Sequence, residues 1–455
     1  MRKFKQLVSL MLLASTSAYA GGYLTNTNQN AAFLRNFARN ATTEIDGVYT
    51  NPAGLAFLED GFHLSFNIQN VYQTRNIKST CPLFGLRGDA NNTRTYKGTA
   101  SAPVVPSFQG AYKKDKWTIS ASVAVTGGGG KSSFDEGLPS FDALAIAGLY
   151  QKGLTPSQYT ISTSMKGSQY IFGTQLGLSY LLTDNLSAFV GGRMNYYYGN
   201  YEGYLNANLN ANNASLMALD LDVDQTGWGL TPILGLDYKV GKLNLGLKYE
   251  FVTNLNIEND THTNTVKNYI PSKVEFDDGY SSPSDLPAIL TFGAQYDLLP
   301  SVRVMAGCTH FFDKTASMAV TTHYYATEAP DGTKTYGSES KEKQKYLKNG
   351  TTEITAGAEW SVTDRLLLSA GYMNTNYGAT DNFQSDLAFS CDSYSVGFGG
   401  RLKLSDKVNL NVAYFFTNYD DYTKTSDNYN GTHQTGTDVY SRTNKVFSVG
   451  VDCHF

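Results

Sequence analysis

What the sequence lacks sets the first limits on its class. Beyond residue 20, no stretch approaches the roughly 20 consecutive apolar residues that a transmembrane helix requires, which argues against an inner-membrane protein. Basic residues show no excess, since 36 Lys and Arg stand against 40 Asp and Glu, so nucleic-acid binding through phosphate neutralisation has no support. Charged residues make up only 17% of the chain, which is not the composition of a typical secreted enzyme.

Residues that carry catalysis or bind metals are also few. The four cysteines lie far apart without CxxC or Cys/His spacing, and the six histidines offer no recognisable set of catalytic partners. We therefore predict no enzyme activity, no metal site and no cofactor. The cysteines are Cys81, Cys308, Cys391 and Cys453.

The N-terminus has the pattern of a secretory signal peptide. Three basic residues among the first five precede the apolar stretch 7–14, and Ala18-Tyr19-Ala20 forms a cleavage site. We expect cleavage after Ala20, so that residues 1–20 are removed and the protein is exported. The next residue, Gly21, is not a lipid-modifiable cysteine, and no energy-coupling motif is recognisable after it.

The abundant residues indicate a β-barrel wall. The chain holds 32 Tyr, 24 Phe and 43 Gly with a mean hydropathy of −0.31, the mixture expected when apolar and polar residues alternate along strands. Alternation is clearest at the end of the chain, where the odd positions from Phe447 to Phe455 are apolar. The terminal aromatic residue resembles the signal that the barrel assembly machinery of the outer membrane recognises.

The same period of two recurs in segments 353–362, 408–416 and 170–180. Glu353 and Glu359 must face inward, because carboxylates against lipid would be costly. We predict an all-β, membrane-spanning antiparallel barrel of about 14 strands over residues 61–455, with short turns on one side and long loops on the other. A soluble β-sandwich, the alternative, normally has short loops on both sides. Predicted strands start near Phe62, Thr99, Lys116, Ser168, Leu186, Thr226, Leu243, Leu286, Val302, Thr352, Leu366, Tyr394, Val408 and Arg442.

A barrel of this size needs something to fill it. About 14 strands enclose more space than their own side chains occupy, so the lumen holds either water or a plug. Residues 21–60 do not alternate, and residues 31–38 instead carry apolar side chains at helical spacing. We predict that residues 21–60 form a partly helical plug, or hatch, in the lumen. Its expected apolar contacts are Phe33, Leu34 and Phe37.

The hatch contains the motif Asn51-Pro52-Ala53, followed by Gly54 and Leu55. Here the chain resembles the FadL family of outer-membrane transporters for long-chain fatty acids and other hydrophobic compounds, whose 14-stranded barrel is closed by a hatch with an Asn-Pro-Ala motif. The resemblance extends more loosely over the rest of the exported chain. It implies that Asn51, Pro52, Ala53 and Gly54 hold the plug and couple ligand binding to its movement. The alternative is a rigid turn fixed by the proline.

The third predicted strand runs into four consecutive glycines, residues 127–130. If the preceding turn is centred between Lys114 and Asp115, Pro103 lies opposite Thr126. Pro106 then lies opposite Val123. Proline donates no ladder hydrogen bond and glycine weakens a strand, so we expect the wall to part here, as it does at the kinked third strand of the resembled family. The alternative is a bulge or the start of a loop. The predicted lateral-gate residues are Pro103, Pro106, Gly127, Gly128, Gly129 and Gly130.

The loop after that strand is unusually apolar for an outer loop, because residues 138–150 contain a single charge. An apolar surface at the barrel mouth can collect a hydrophobic ligand, as the loop helices of the resembled family do. A loop helix packed as a lid is the alternative, and the two interpretations are compatible. The predicted capture residues are Leu138, Phe141, Leu144, Ile146 and Leu149.

Strand parity also places cations in the lumen, where they could receive the carboxylate of a fatty acid or pair with inward acidic residues. These are Arg193, Lys248, Arg303 and Arg401. Parity turns Cys308 and Cys453 outward as small apolar residues. A disulfide between Cys81 and Cys391 is a further hypothesis, which requires Cα atoms within about 7 Å.

Together these patterns predict a monomeric outer-membrane protein that passes hydrophobic small molecules passively through a plugged barrel and releases them sideways into the bilayer. Its expected partners are that ligand, outer-membrane lipids and, during biogenesis, the barrel assembly machinery. The alternative is a barrel that acts as a secretion shuttle or interaction protein. That role would require a large docking surface rather than an apolar pocket and a breach in the wall.

Overall fold

The computed structural model of the chain describes Leu24 and residues 29–268, 275–328 and 334–455. The predicted signal peptide lies outside these residues. Seventeen strand segments form one antiparallel sheet that closes on itself. Three strands are each interrupted once and contribute two segments, so 17 − 3 leaves 14 strands around the barrel. The predicted number of strands is confirmed.

Consecutive strands are neighbours, and the last pairs with the first. We number them in chain order. They are β1 Gly61–Thr80, β2 Thr93–Lys114, β3 Trp117–Phe134, β4 Tyr159–Leu181, β5 Leu186–Leu209, β6 Ser215–Val240, β7 Leu243–Glu250 with Asn256–Asn264, β8 Ser281–Pro283 with Ile289–Leu299, β9 Val302–Phe311, β10 Thr352–Ser361, β11 Leu366–Asn376, β12 Ser393–Lys403, β13 Val408–Tyr419 with Tyr422–Ser426, and β14 Gly436–His454. A separate hairpin, Ala319–Glu328 and Lys334–Glu342, extends from the loop between β9 and β10.

The two faces of the wall follow the period of two. On β10, Ile354 and Trp360 are exposed on the outside, whereas Glu353 and Glu359 are buried inside. Exposed aromatic and aliphatic side chains cover the outer surface of most strands, as a hydrocarbon environment requires. The predicted outward and inward faces are confirmed on this strand.

The two ends of the barrel differ in their connections. Short turns join β2 to β3, β4 to β5 and β6 to β7 at the end that also carries Phe455, which makes this the periplasmic end. At the outer end several strands continue past the predicted starts: β4 begins at Tyr159 rather than near Ser168, and β6 at Ser215 rather than near Thr226. In these extensions the outward residues are polar and the inward residues are apolar, the reverse of the lipid-facing wall, so the expected barrel pattern is absent. The inward residues include Tyr159, Ile161, Met217 and Leu219.

The seam between the two ends of the chain is continuous. β1 and β14 pair from His63–His454 to Thr80–Thr437 without a register shift. Because antiparallel pairing satisfies backbone donors and acceptors along this whole length, the barrel has no free edge here.

Short helices lie inside the lumen and at the outer mouth. Inside are α1 (Ala31–Arg35), α2 (Gly47–Thr50) and a 3-10 helix at Pro52–Phe57; at the mouth are α3 (Pro82–Leu86) and α4 (Pro139–Gln151). The Asn30 side chain caps α1 by accepting a hydrogen bond from the backbone of Ala32 at 2.7 Å. Among the described helices, none is long and apolar enough to cross a membrane.

The hypothesis of a disulfide between Cys81 and Cys391 is wrong, because both thiols are free. Each packs in a different buried cluster: Cys81 with Phe84 and the α4 helix, Cys391 with Phe389 and Tyr440. Burial among apolar side chains, rather than pairing, accounts for these two residues.

Candidate functional site

The N-terminal segment 29–60, here called the hatch, is held by side chains of the barrel wall. Its backbone carbonyls accept hydrogen bonds from lumen-facing donors: Val48 from Gln175 at 2.6 Å, Tyr49 from Lys248 at 2.8 Å, and Pro52 from Ser179 at 2.7 Å. The carbonyl of Ala53 likewise accepts from Ser187 at 2.7 Å. Polar residues inside the strands thus satisfy hatch groups that water would otherwise solvate.

Asn51 connects the hatch to β6. Its amide nitrogen donates to the carbonyl of Thr42 at 3.0 Å and to the carboxylate of Asp237. The same carboxylate accepts from Asn244 at 3.0 Å, whose amide also donates to the carbonyl of Ala41 at 2.8 Å. Asp237 is therefore the acceptor shared by the hatch motif and the wall.

The apolar side of the hatch packs on β13. Phe37 meets Phe415 edge-on with ring centroids 5.5 Å apart, and Phe33 meets Phe37 at the same distance. Leu34 is buried in the same cluster. The structure thus brings together the three residues that the sequence predicts as apolar contacts of the hatch.

Glycines on the inner face of the wall allow this close approach. A Cβ atom at any of them would collide with the hatch, because the hatch backbone or its asparagine side chains lie directly against the strand. The largest share of these glycines lies on β7 to β12. They are Gly246, Gly293, Gly307, Gly357, Gly371 and Gly397.

A buried ionic network fixes the middle of the hatch. The Arg39 guanidinium has no exposed side-chain surface and donates to Asp46 at 2.7 Å, to Glu44 at 2.8 Å and to Glu359 of the wall at 3.0 Å. Arg35 donates to the same Glu359 oxygen at 2.7 Å. Each buried charge therefore has a partner of opposite sign, which is the condition under which burial is tolerated.

The four predicted head-group cations all have carboxylate partners. Arg193 and Lys248 share Glu250 at 2.8 and 2.7 Å. Arg401 donates to Glu44 of the hatch at 2.9 Å, and Arg303 donates to a wall aspartate at 2.8 Å. Carboxylates of the protein itself neutralise these four charges, so the geometry favours the alternative of internal ion pairs over binding of a ligand head group.

The wall is interrupted beside the glycine run. β2 and β3 pair from Lys114–Trp117 to Ser107–Ala124 and again from Ser101–Lys131, but residues 102–106 and 125–130 have no pairing between them. The two-residue turn consists of Asp115 and Lys116, with Asp115 at φ +52°. It is centred one residue later than predicted, so the register of β2 against β3 is shifted by two residues. Pro103 and Pro106 therefore do not face Thr126 and Val123 as predicted.

Unequal strand lengths cause this interruption. From Val125–Phe172 to Gly130–Gln169, β3 advances five residues while β4 advances three, so β3 carries two extra residues. From Gln69–Val105 to Val71–Ala102, β1 advances two residues while β2 advances three, so β2 carries one. The surplus residues bulge out of register, as extra residues in a strand do.

The outer mouth holds an apolar pocket of about 550 Å³, counting its open side. Of the predicted capture residues, Phe141 and Leu144 line it. The other three are buried around α4 instead, as in the lid interpretation. They are Leu138, Ile146 and Leu149.

The α4 helix at the mouth is held in place through the buried carboxylate of Asp142. The Asp142 carboxylate accepts from Arg87 at 2.7 Å and from the Tyr96 hydroxyl at 2.8 Å.

Deeper in the lumen, a second pocket of about 460 Å³ lies between the hatch and β7 to β10. Its lining combines the apolar Phe33 and Phe311 with the ion pair Lys248–Glu250.

Exchanging the partners of the Asn51 contact provides a test. Asn51→Asp sets two carboxylates against each other and is expected to lower the free energy of unfolding by about 2 kcal/mol, since a charge-assisted hydrogen bond is lost. Asn51→Asp with Asp237→Asn should recover about half of this, because donor and acceptor are interchanged. Thermal unfolding in detergent micelles measures both. A double variant no more stable than the single one would contradict this contact.

Sequence reasoning missed the charges of the hatch. Residues 35–46 carry four charges, Arg35, Arg39, Glu44 and Asp46, in a chain with few charges. That density in a segment predicted to enter the lumen is a usable signal, because buried charges require partners. The partner Glu359 lies 320 positions from Arg39, beyond the reach of any local pattern.

Comparisons with known proteins bear on the fold. No family model matches the sequence, and no curated protein matches it. Among solved structures, a FadL homologue from Pseudomonas aeruginosa superposes with a TM-score of 0.67 at 15% identity, covering 96% of this chain and 100% of the other.

Two toluene transporters are similar as well. TodX from P. putida has a TM-score of 0.55 at 16% identity, covering 91% of this chain and 95% of its own. TbuX from Ralstonia pickettii has a TM-score of 0.54 at 13% identity, covering 90% and 94%. The chain therefore has the fold of the FadL homologue, an outer-membrane β-barrel, as the resemblance at Asn51-Pro52-Ala53 implies.

Proposed function

We propose that this protein is an outer-membrane channel that takes up hydrophobic small molecules, of the class of long-chain fatty acids, and releases them through the side of the barrel. The observation that carries the proposal is the unpaired stretch between residues 102–106 of β2 and 125–130 of β3. The structurally similar TodX and TbuX are toluene transporters, which supports a hydrophobic cargo in general.

The route follows from the free energy of the cargo. An apolar chain that leaves the lumen into periplasmic water re-exposes its surface, at a cost of about 0.8 kcal/mol for each methylene. Exit between two strands into the bilayer avoids that cost. The gap lies where the wall has no ladder hydrogen bonds to break, so residues 102–106 and 125–130 form the proposed lateral gate.

The outer mouth, where cargo enters, is apolar like the proposed cargo. The apolar pocket beneath Phe141 and Leu144 collects cargo at the mouth, and the hatch keeps the lumen closed to water beneath it. Movement needs only a concentration gradient, since capture and release both occur in apolar surroundings. The hatch residues Asn51, Pro52, Ala53 and Gly54 couple arrival of the ligand to a shift of the plug.

The test is uptake of labelled oleate by a bacterial host that lacks its own outer-membrane fatty-acid channel. Expression of this chain is expected to give saturable uptake that persists when the proton-motive force is dissipated. The matched control is the same host with the empty vector. Equal uptake in the two strains would reject the transport function.

A further inference from the structure

Two arginines face each other across the seam between the first and last strands. Arg75 on β1 pairs in register with Arg442 on β14, and both belong to the lumen-facing rows of their strands. Both are half-buried. Two like charges therefore lie side by side inside the barrel, where each raises the free-energy cost of burying the other.

Within the described part of the chain, neither arginine forms an ion pair. The Nε atoms of both are buried without a hydrogen-bond partner. Aromatic rings lie beside both side chains: Arg75 lies over the Phe389 ring at 5.7 Å and Arg442 over the Tyr419 ring at 4.7 Å. Arg442 also donates to the Phe389 carbonyl at 3.4 Å. These two differ from Arg193, Arg303 and Arg401, which all have carboxylates.

Further polar atoms on the same inner surface also lack partners. Gln69 Nε2, Gln73 Oε1 and Asn444 Oδ1 are buried without hydrogen bonds. A buried donor that nothing satisfies costs about 1–3 kcal/mol, more when it is charged. A bound anion would accept from the guanidinium groups and relieve that cost.

An apolar cluster lies directly beside the two cations. It contains Ile77, Phe389 and Tyr440, and its edge is formed by Phe141 and Leu387. Those last two residues also line the mouth pocket. The apolar cluster therefore extends from the edge of the mouth pocket to the two positive charges.

We infer that Arg75 and Arg442 bind the carboxylate of an anionic amphiphile whose tail extends along the edge of this cluster toward the mouth pocket, past Phe141 and Leu387. The inference rests on the proposed transport function and deepens it, since it names the residues that distinguish a fatty-acid-like cargo from a neutral hydrocarbon. Guanidinium groups suit this task because they donate in a fork that matches a carboxylate.

The test compares palmitate with cetyl alcohol, which has the same tail and no charge, as competitors of a fluorescent fatty-acid analogue on the purified full-length protein. The wild type is expected to bind palmitate at least about tenfold more tightly than the alcohol, as charge-assisted hydrogen bonds predict. Arg75→Gln and Arg442→Gln should each lose most of this preference for palmitate over the alcohol and leave the affinity for the alcohol unchanged. Arg75→Lys should retain part of it.

Lys78→Gln is the matched control, because Lys78 lies on β1 three residues away and points outward. It should leave the ratio unchanged. Equal affinity of the wild type for acid and alcohol, or glutamine variants that keep the ratio, would overturn the inference while transport could still hold. Failure of both compounds to bind, with no uptake by cells, would instead reject the transport function.

Discussion

A variant that lacks Pro103, Gly128 and Gly129 is expected to form a closed barrel and to lose at least about nine-tenths of its oleate uptake. Removing one residue from β2 and two from β3 cancels the surplus at all three strand pairs, so β1 to β4 can pair without interruption. Cargo would then have to leave through water, at a cost on the order of 8 kcal/mol for ten methylenes. Pro106→Thr in the same variant restores a missing donor.

Removal of Pro103 alone is the matched control. It leaves the two surplus residues of β3, so the gap persists and uptake should remain close to that of the wild type. Heat-modifiable migration in gels and unchanged palmitate affinity would verify that both variants fold. A folded triple-deletion variant that takes up oleate at the wild-type rate would rule out the lateral gate.

Arg39→Met is expected to have the largest effect on stability, lowering the free energy of unfolding by about 3–5 kcal/mol. Its removal takes the closest cation from Asp46 and a partner each from Glu44 and Glu359, and the side chains of Asp46 and Glu359 are only 2% exposed. Uncompensated buried charge should loosen the hatch. We therefore also expect leakage of small hydrophilic solutes from liposomes that contain the variant.

Arg401→Met removes the same charge at a partly exposed position, where the side chain keeps 28% of its surface and, among the described residues, pairs with Glu44 alone. Its expected cost is at most about 1 kcal/mol, because solvent screens the pair. Urea unfolding in micelles compares the two variants. Equal stability of Arg39→Met and Arg401→Met would show that the buried network does not fix the hatch.

The wall was predictable because alternation is a local property. The inward position of Glu353 and Glu359 follows from the period of two in their own strand, and the structure agrees. The helical spacing of residues 31–38 likewise indicated the helix Ala31–Arg35 and its contacts at Phe37. Such patterns need no knowledge of distant residues.

The site was less accessible to sequence reasoning, because it depends on register and on distant partners. The two surplus residues of β3 appear only when β4 is aligned beside it, and the position of one turn displaced the predicted partners of Pro103. The prediction started the last strand near Arg442, whereas the strand starts at Gly436, so the place of Arg442 within the inward row was not predicted. The partners of the lumen cations come from segments that local patterns do not connect.

The position of the two arginines on either side of the seam also determines when during assembly they come together. Arg75 belongs to the first strand and Arg442 to the last, so the two guanidinium groups meet only when the ends of the chain come together. A partly inserted barrel holds one half of the anion site without the other. Palmitate binding should therefore appear only at the final step of assembly, and its onset would report when newly made protein has closed.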